Sequence, residues 1–322
     1  MCGFLDRQRK VISISSKPSP YKLIVTDIDN TVFDWVRYYV TSFNALLDTV
    51  ANIIGSDRAT LAAEAREVFA RHGSIEYPFL AQELASVNKH YGDDIDRMLS
   101  EAVSRGREAF MAAAQNVLTP YADVRTTLAE LKKRNPDLPV VALTDAPRYV
   151  AMWKLNKLGL LEFFDAVYGL ADPRVPTCET NRRVKVDPEI LLKHLQQSNF
   201  GFKGKIRILP DDYEKPGVRG LKTVLMDYEL DESAEHRSKV LWVGDNLRKD
   251  VGLGNRLGVR SAWAKYGTDL ETPLLQSLAM FSPPQNIHKN VYLSSDDPAA
   301  PKPNVVFNSF SELLHEVHAV KK

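Results

Sequence analysis

The sequence predicts an α/β protein with a parallel sheet and an all-helical segment inserted after the first strand. Short apolar runs rich in branched residues alternate with helical patterns from residue 120 onward, as in parallel sheets covered on both faces. Three apolar runs along the chain end abruptly at polar side chains, at Asp27, Thr144 and Asp245. Between residues 35 and 118 the helical period continues with almost no strand pattern, which predicts a separate helical unit.

The predicted elements follow in chain order after a loose lead-in at residues 1–20. The first strand spans about 22–27, and Gly73 and Gly92 separate the helices of the inserted segment. Further strands are expected at about 140–143, 166–169, 205–209, 239–243, 259–264 and 304–307. Helices are expected at about 123–134, 150–158, 189–197, 218–225 and 252–257, and from residue 311. Stretches rich in proline or basic residues at 171–204 and 282–303 predict two irregular insertions.

The composition is that of an ordinary globular chain, long enough for one large domain or two. Of its 322 residues, 44% are hydrophobic and 26% are charged, and the formal net charge is +1. Lysine and arginine are scattered, so neither nucleic acid nor a membrane is expected as a partner. The two cysteines, Cys2 and Cys178, are too few for a disulfide framework or a zinc cage. Charged residues stand where a signal peptide needs its apolar stretch, so we expect a cytoplasmic protein. The sequence does not predict the oligomeric state.

The most informative local signal is Asp27-Ile28-Asp29-Asn30, at the end of the first apolar run. Asp27 and Asp29 leave an extended backbone on the same side, and two such carboxylates repel unless a cation or proton lies between them. A calcium loop is excluded, because it needs glycine and glutamate where this chain has Val32 and Tyr38. A chance turn motif, or an Asp-x-Asp that holds a nucleotide sugar through a metal, stays open on these residues alone.

Two more polar clusters follow apolar strands of the same pattern. The carboxyl ends of neighbouring parallel strands meet at one edge of a sheet, so Thr144 and Asp245 are expected to share a crevice with Asp27. A phosphate ligand in that crevice needs a positive charge. Lys215 lies between the second and third clusters along the chain and is the candidate for that charge.

The ordered set of these residues resembles the haloacid dehalogenase superfamily of phosphohydrolases. The resemblance rests on Asp27-x-Asp29-x-Thr31, Thr144, Lys215 and Gly244-Asp245-x-x-x-x-Asp250, and it covers the chain from Lys22 to Val317. The helical segment resembles the cap of the phosphoglycolate-phosphatase-like branch. The resemblance as a whole implies a Rossmann-like α/β core at residues 21–34 and 119–322 and a helical cap domain at residues 35–118.

The resemblance also implies a reaction and a role for each motif residue. Asp27 would be the nucleophile of a phosphohydrolase that cleaves a small phosphorylated metabolite through an aspartyl-phosphate, and Asp29 the general acid and base. Mg²⁺ would be held by Asp27, the Asp29 backbone carbonyl and Asp245. The expected substrate-binding residues are Thr144, Asp145, Lys215, Arg37 and His72, with Thr144 and Lys215 also catalytic. Asp250 would orient Lys215 or the metal shell.

Several alternatives remain beside this interpretation. Lys185 also resembles the family's lysine loop, although it lies about twice as far from Asp245 as Lys215 does. The run from Gly252 to Gly258 does not have the glycine spacing of a dinucleotide site. The dehalogenases of the family lack an acid at the position of Asp29, which favours phosphoryl chemistry here. A phosphosugar mutase and a non-catalytic phosphate-binding or interaction module are the alternative functions.

Overall fold

Seven parallel strands form the central sheet, in a computed structural model that describes residues 19–172, 193, 195, 197–231, 233–283 and 297–318. The strands are β1 (Leu23–Thr26), β2 (Val140–Pro147), β3 (Ala166–Leu170), β4 (Lys205–Leu209), β5 (Val240–Gly244), β6 (Arg260–Ala264) and β7 (Val305–Phe307). Their order across the sheet is β4-β3-β2-β1-β5-β6-β7, and every neighbouring pair is parallel. The predicted α/β class is therefore confirmed.

The central strands are apolar because both faces of the sheet are covered. All residues of β1 and β5 are buried. Since successive side chains point to opposite faces, Leu23 and Val25 join one apolar cluster and Ile24 joins the other. The chain runs outward from β1 through β2 to β4, then returns to place β5 on the other side of β1. Connections leave β1 and β5 in opposite directions, and such a switch point opens a crevice at the carboxyl edge.

The chain between β1 and β2 is helical in this structure. Its helices are α1 (Trp35–Ile54), α2 (Arg58–His72), α3 (Leu80–Glu83), α4 (Ala85–Tyr91), α5 (Ile95–Met98), α6 (Ser104–Val117) and α7 (Val124–Arg134), with a π-helical turn at Leu99–Val103. Asp34 caps α1 by accepting the Arg37 amide, and Gly55 ends it with a φ of 67°. We call residues 35–118 the helical insertion; its limits as a domain stay a prediction.

The remaining helices flank the strands that follow. They are α8 (Arg148–Lys157), α9 (Arg219–Asp227), α10 (Ala234–Arg237), α11 (Gly252–Leu257), α12 (Thr272–Phe281) and α13 (Glu312–His318). Within the described part of the chain, no helix combines the length and apolar character that crossing a bilayer requires. The helix expected near 189–197 falls mostly outside the described residues, as do Cys2, Cys178, Lys185, most of the lead-in and much of both insertions.

Helix α12 was not predicted from the sequence, and it packs on the helical insertion. The Phe281 ring lies 4.3 Å from the Phe43 ring of α1, centroid to centroid. Asn44 donates to the Ser277 hydroxyl at 3.0 Å, and the Arg66 guanidinium donates to two carbonyls at the end of α12 at 2.6 Å. The helical insertion is thus attached to a helix from the C-terminal half of the chain as well as to β1.

Shortening Phe281 to alanine is expected to destabilise the protein by about 3–5 kcal/mol, because a fully buried aromatic ring leaves a cavity. Urea unfolding of Phe281→Ala against wild type measures this change. Met280→Ala on the same helix is the matched control, since its side chain is 41% exposed and should cost less than about 0.5 kcal/mol. Equal destabilisation by both changes would contradict the packing described here.

Candidate active site

A cavity of about 200 Å³ lies at the carboxyl ends of β1, β2 and β5. It opens where the strand order switches direction, which is where open α/β sheets bind ligands. The residues on the sheet side include Asp27, Asp29, Asn30, Thr144, Asp145, Glu214, Lys215, Asp245, Asn246, Lys249 and Asp250. The opposite wall comprises Trp35, Val36 and residues 73–76 of the helical insertion, with Leu270, Leu275 and Leu278 from α12 and the loop before it. The structure therefore brings the motif residues of all four sequence signals together.

Asp27 is held at the end of β1 by its backbone and by a buried lysine. Its amide donates to the Val243 carbonyl of β5 at 2.8 Å, and its Oδ1 accepts the Ile28 amide at 2.8 Å. Its Oδ2 lies 2.7 Å from Nζ of Lys215. One carboxylate oxygen of Asp27 is thus fixed by backbone and the other by a cation, with the side chain facing the cavity.

Lys215 is the central cation of the site. Its side chain is 4% exposed, and Nζ donates to Asp250 Oδ1 at 2.8 Å in addition to its contact with Asp27. The other oxygen of Asp250 accepts the Asn246 amide at 2.9 Å. A Cβ on Gly244 would overlap the carboxyl group of Asp250, so glycine at this position lets that side chain reach Lys215. This explains the Gly244-Asp245-x-x-x-x-Asp250 spacing in physical terms.

The loop that carries Lys215 is held by a second acidic residue. Asp145 accepts the backbone amide of Lys215 at 2.8 Å with one oxygen and Nζ of Lys249 at 2.9 Å with the other. Burial alone lowers the pKa of Lys249, but the Asp145 carboxylate raises it above its usual value overall. Asp145 was predicted to bind substrate. In this structure it lines the cavity with both oxygens occupied by protein donors.

The electrostatics of the site favour a bound cation. Burial raises the pKa of Asp27 to about 7, Lys215 opposes this increase, and the nearby Asp250 carboxylate adds to it. Carboxylate oxygens of Asp27, Asp245 and Asp250 all lie within 4.8 Å of one another. Oxygen donors of this kind suit a hard divalent cation. Asp27 and Asp250 each also contact Lys215 and a backbone amide, and Asp245 completes the group of carboxylates that could hold such an ion.

Thr144 lies in β2, which extends four residues beyond the apolar run that predicted it. The register with β3 shifts between Leu143 and Pro147, so the strand is irregular where Thr144 and Asp145 face the cavity. Thr144 is buried and its Oγ1 accepts the Ala146 amide at 3.1 Å. The hydroxyl oxygen is thereby oriented while its proton remains available to donate.

Asp29 is bound by a residue that the sequence analysis did not identify. Nζ of Lys154, from α8, lies 3.0 and 3.2 Å from the two carboxylate oxygens of Asp29. It also donates to Glu76 of the helical insertion at 2.8 Å. Burial raises the pKa of Asp29, Lys154 opposes this, and Glu76 adds to it. No motif spacing marks Lys154, and α8 lacks the amphipathic pattern that could have drawn attention to it.

Two of the predicted substrate-binding residues lie elsewhere in this structure. Arg37 is half exposed, pairs with Asp34 and Glu271, and is not among the residues lining the cavity. His72 stacks on Tyr77, with ring centroids 3.7 Å apart, and its Nε2 contacts Glu83 at 2.9 Å. Both side chains have structural partners within the described residues, and their role in substrate binding stays a prediction.

Residues outside the sequence motifs support the loops that carry the site. The Trp242 indole donates to the Asp250 carbonyl at 2.9 Å, and the Trp263 indole donates to the Asp245 carbonyl at 2.7 Å. A Cβ on Gly267 would overlap the Asn30 carbonyl, so the loop after β6 packs directly on the loop after β1. These contacts join the loops after β1, β5 and β6 into one support for the acidic residues.

Comparison with known proteins gives a family and a set of structural neighbours. The profile of haloacid dehalogenase-like hydrolases matches residues 21–258. No curated protein sequence matches this chain. The 2-haloacid dehalogenase from Pseudomonas syringae pv. Tomato DC3000 superposes with a TM-score of 0.52 at 16% identity, over 92% of this chain and 97% of that one.

Two other solved structures resemble the chain less closely in shape. The putative HAD-hydrolase YfnB from Bacillus subtilis, bound to magnesium, has a TM-score of 0.48 and 13% identity, covering 92% of this chain and 98% of that one. A putative beta-phosphoglucomutase from Thermotoga maritima has a TM-score of 0.48 and 14% identity, covering 92% and 99%. Of the three, only the Pseudomonas syringae protein has a TM-score above 0.5. At 16% identity, its likeness to this chain concerns the fold alone.

Proposed function

Because this chain belongs to the haloacid dehalogenase-like hydrolases, we propose that it is a magnesium-dependent phosphatase that cleaves a small phosphomonoester through an aspartyl-phosphate at Asp27. The observation that carries the proposal is the buried Asp27–Lys215–Asp250 network, with Asp29, Thr144 and Asp245 on the same cavity. It combines a carboxylate nucleophile, a fixed cation and a second carboxyl group, which are the parts that phosphoryl transfer needs.

In the first step a carboxylate oxygen of Asp27 forms a bond to phosphorus while the bond to the leaving oxygen breaks. The transition state spreads negative charge over the phosphoryl oxygens, so Lys215 stabilises it with its buried charge and Thr144 with its hydroxyl proton. Mg²⁺, held by the Asp27 and Asp245 carboxylates and the Asp29 backbone carbonyl, would neutralise the repulsion between carboxylate and phosphate. Asp250 fixes Lys215 in place throughout.

Asp29 moves the protons of the reaction. It gives its proton to the leaving oxygen in the first step, so the departing group leaves as an alcohol. It then takes a proton from a water whose oxygen attacks phosphorus, which releases inorganic phosphate and restores the Asp27 carboxylate. Burial raises the pKa of Asp29 against the opposing charge of Lys154, which is the direction that proton donation requires.

The presence of Asp29 favours a phosphatase over a dehalogenase. A halide ion leaves without a proton, so a dehalogenase gains nothing from a carboxylic acid on the leaving-group side. An alkoxide leaves poorly unless it is protonated, and general acids contribute about 10²–10⁴-fold to such steps. The cavity volume of about 200 Å³ further favours a small leaving group. The helical insertion that walls it would act as the cap and exclude water.

Phosphate release from a panel of small phosphomonoesters, measured with Mg²⁺ and again with excess EDTA, tests the proposal. We expect release from at least one ester that depends on Mg²⁺ and is lowered about 10²–10⁴-fold by Asp29→Asn when the leaving group is an alcohol. Glu162→Gln, an exposed acidic residue in an ion pair with Arg125, is the control for loss of a carboxylate. Release that persists in EDTA, or release of halide from 2-haloacids in place of phosphate, would contradict the proposal.

A further inference from the structure

Lys154 is a fully buried lysine that the proposed reaction does not yet use. Its side chain is 0% exposed, and its Nζ lies 5.9 Å from the centre of the Phe33 ring and 6.0 Å from that of Tyr38. A lysine is almost never buried unless it is paired, because removing its charge from water is costly. Its two carboxylate partners, Asp29 and Glu76, therefore compensate the charge at this position.

The contact with Asp29 fixes the orientation of that carboxylate. Nζ approaches both oxygens of Asp29 at nearly equal distances, 3.0 and 3.2 Å. Lys154 approaches from α8, whereas Asp29 follows β1, so the pair joins two elements that are 125 residues apart in the chain. The Asp29 side chain remains 24% exposed to the cavity, which leaves it accessible to a bound ester.

The contact with Glu76 joins the same lysine to the helical insertion. Glu76 Oε1 accepts Nζ of Lys154 at 2.8 Å and the Trp35 indole N–H at 3.1 Å. Trp35 begins α1 and stacks on Tyr39 with ring centroids 5.0 Å apart. Trp35, the residue of the insertion that donates to the Glu76 side chain, also lines the cavity. Lys154 therefore contacts both Asp29, the proposed general acid, and Glu76 in the cavity wall formed by the helical insertion.

We propose that Lys154 is a positioning residue that holds the Asp29 carboxylate in place for proton transfer and, through Glu76, links this placement to the position of the helical insertion. The proposal rests on the phosphatase function proposed above and adds a positioning residue to the same site. The described contacts of Lys154 include neither Asp27 nor Asp245. It acts through Asp29, whose proton passes to the leaving oxygen as the phosphorus–oxygen bond breaks.

The consequence is a dependence on the leaving group that a merely structural lysine would not produce. An alkyl leaving group needs the proton of Asp29, whereas 2,4-dinitrophenolate is stable enough to leave without it. kcat/KM covers the steps up to and including phosphoryl transfer, so it reports on the acid function separately from hydrolysis of the aspartyl-phosphate. A change in the Asp29 position should therefore lower kcat/KM for an alkyl ester and leave that of the dinitrophenyl ester nearly unchanged.

Lys154→Met, assayed on both ester types, tests this inference. The two substrates are 2,4-dinitrophenyl phosphate and the alkyl phosphomonoester that the panel ranks highest. We expect kcat/KM to fall by about 10²-fold for the alkyl ester and by less than about threefold for the aryl ester. The ratio of the two values does not depend on how much of the variant is folded, so partial unfolding cannot imitate the result.

Glu76→Gln tests the link to the helical insertion. In this proposal Glu76 affects the position of Asp29 through the lysine, so the losses of kcat/KM for the alkyl ester in Lys154→Met and Glu76→Gln should not multiply in the double variant. Lys132→Met is the matched control: it also removes a lysine ion pair, with Asp165 at 2.5 Å, but lies outside the cavity lining. Lys132→Met should leave kcat/KM unchanged for both esters.

Three outcomes would overturn the inference, and they are distinguishable from failure of the proposed function. Equal losses for both esters in Lys154→Met would indicate a structural or charge effect on phosphoryl transfer itself. Unchanged kinetics in this variant would remove the role altogether, and multiplicative losses with Glu76→Gln would remove the link to the insertion. Wild-type protein that hydrolyses neither ester would instead reject the phosphatase proposal, and with it the role of Lys154.

Discussion

Asp27→Asn is expected to abolish phosphate release, by about 10⁴–10⁶-fold in kcat, a loss typical of a missing nucleophile. The substitution keeps the shape of the side chain and an oxygen that can accept the Ile28 amide, which Asp27 Oδ1 accepts at 2.8 Å. It removes the negative charge that attacks phosphorus and that pairs with Lys215. The measurement is phosphate release with the best ester of the panel, followed by acid quenching to detect protein-bound phosphate.

The control for Asp27→Asn lies in the loop that follows the same strand. Asp34 caps α1 by accepting the Arg37 amide, and asparagine caps helices about as well as aspartate, so Asp34→Asn should retain activity and stability. Asp27→Ala guards against conversion of the introduced asparagine back to aspartate. Asp29→Asn should retain acid-stable protein-bound phosphate longer than wild type, because the second step loses its base. Wild-type rates in Asp27→Asn and Asp27→Ala would reject the aspartyl-phosphate.

Lys215→Met is the second change for which we expect a large effect. Nζ of Lys215 lies 2.7 Å from Asp27 and 2.8 Å from Asp250, and it stands 5.3 Å from the Trp242 ring centre. Its loss leaves two buried carboxylates without their shared cation, which typically costs about 3–5 kcal/mol of stability. It also removes a fixed charge from the transition state, which typically lowers kcat by about 10²–10³-fold. Urea unfolding and steady-state kinetics measure the two effects separately.

Lys185→Met is the matched comparison, because Lys185 is the other lysine that the sequence offers for this role. Lys185 lies outside the described residues, whereas Lys215 lines the cavity. We expect Lys185→Met to keep both the stability and the activity of wild type. Loss of activity in Lys185→Met with a fully active Lys215→Met would reverse the assignment of the phosphate-site lysine.

The sheet and the acidic cluster were predictable because their signals are local and periodic. An apolar run that ends at Asp27, Thr144 or Asp245 specifies both a buried strand and a polar group at its carboxyl end. Parallel strands align those ends at one edge, so separate short motifs imply one site before any contact is known. Lys215 was predictable for a related reason, since a crevice of carboxylates and a phosphate requires a cation within reach.

Other parts of the site depend on contacts for which the sequence carries no such pattern. Helix α12, with its leucines on the cavity wall, lies in a stretch that the sequence analysis left without an element. The predicted binding residues Arg37 and His72 sit near the site along the chain, yet each has protein partners outside the cavity lining. Short-range spacing places a residue on a helix or loop, but it does not decide which neighbour its side chain meets.

By itself, the sequence determined the parallel α/β core, the helical chain after β1 and the motif residues Asp27, Asp29, Thr144, Lys215 and Asp245 that line the sheet side of the site. It could do so because burial on both faces imposes an apolar run, and a strand end imposes a polar break. Only the tertiary structure decided that Lys154 joins Asp29 to Glu76, with partners 125 and 78 residues away. Such a contact arises from the packing of α8 against the loop after β1 and the helical insertion, and its geometry exists only once all three elements are folded together.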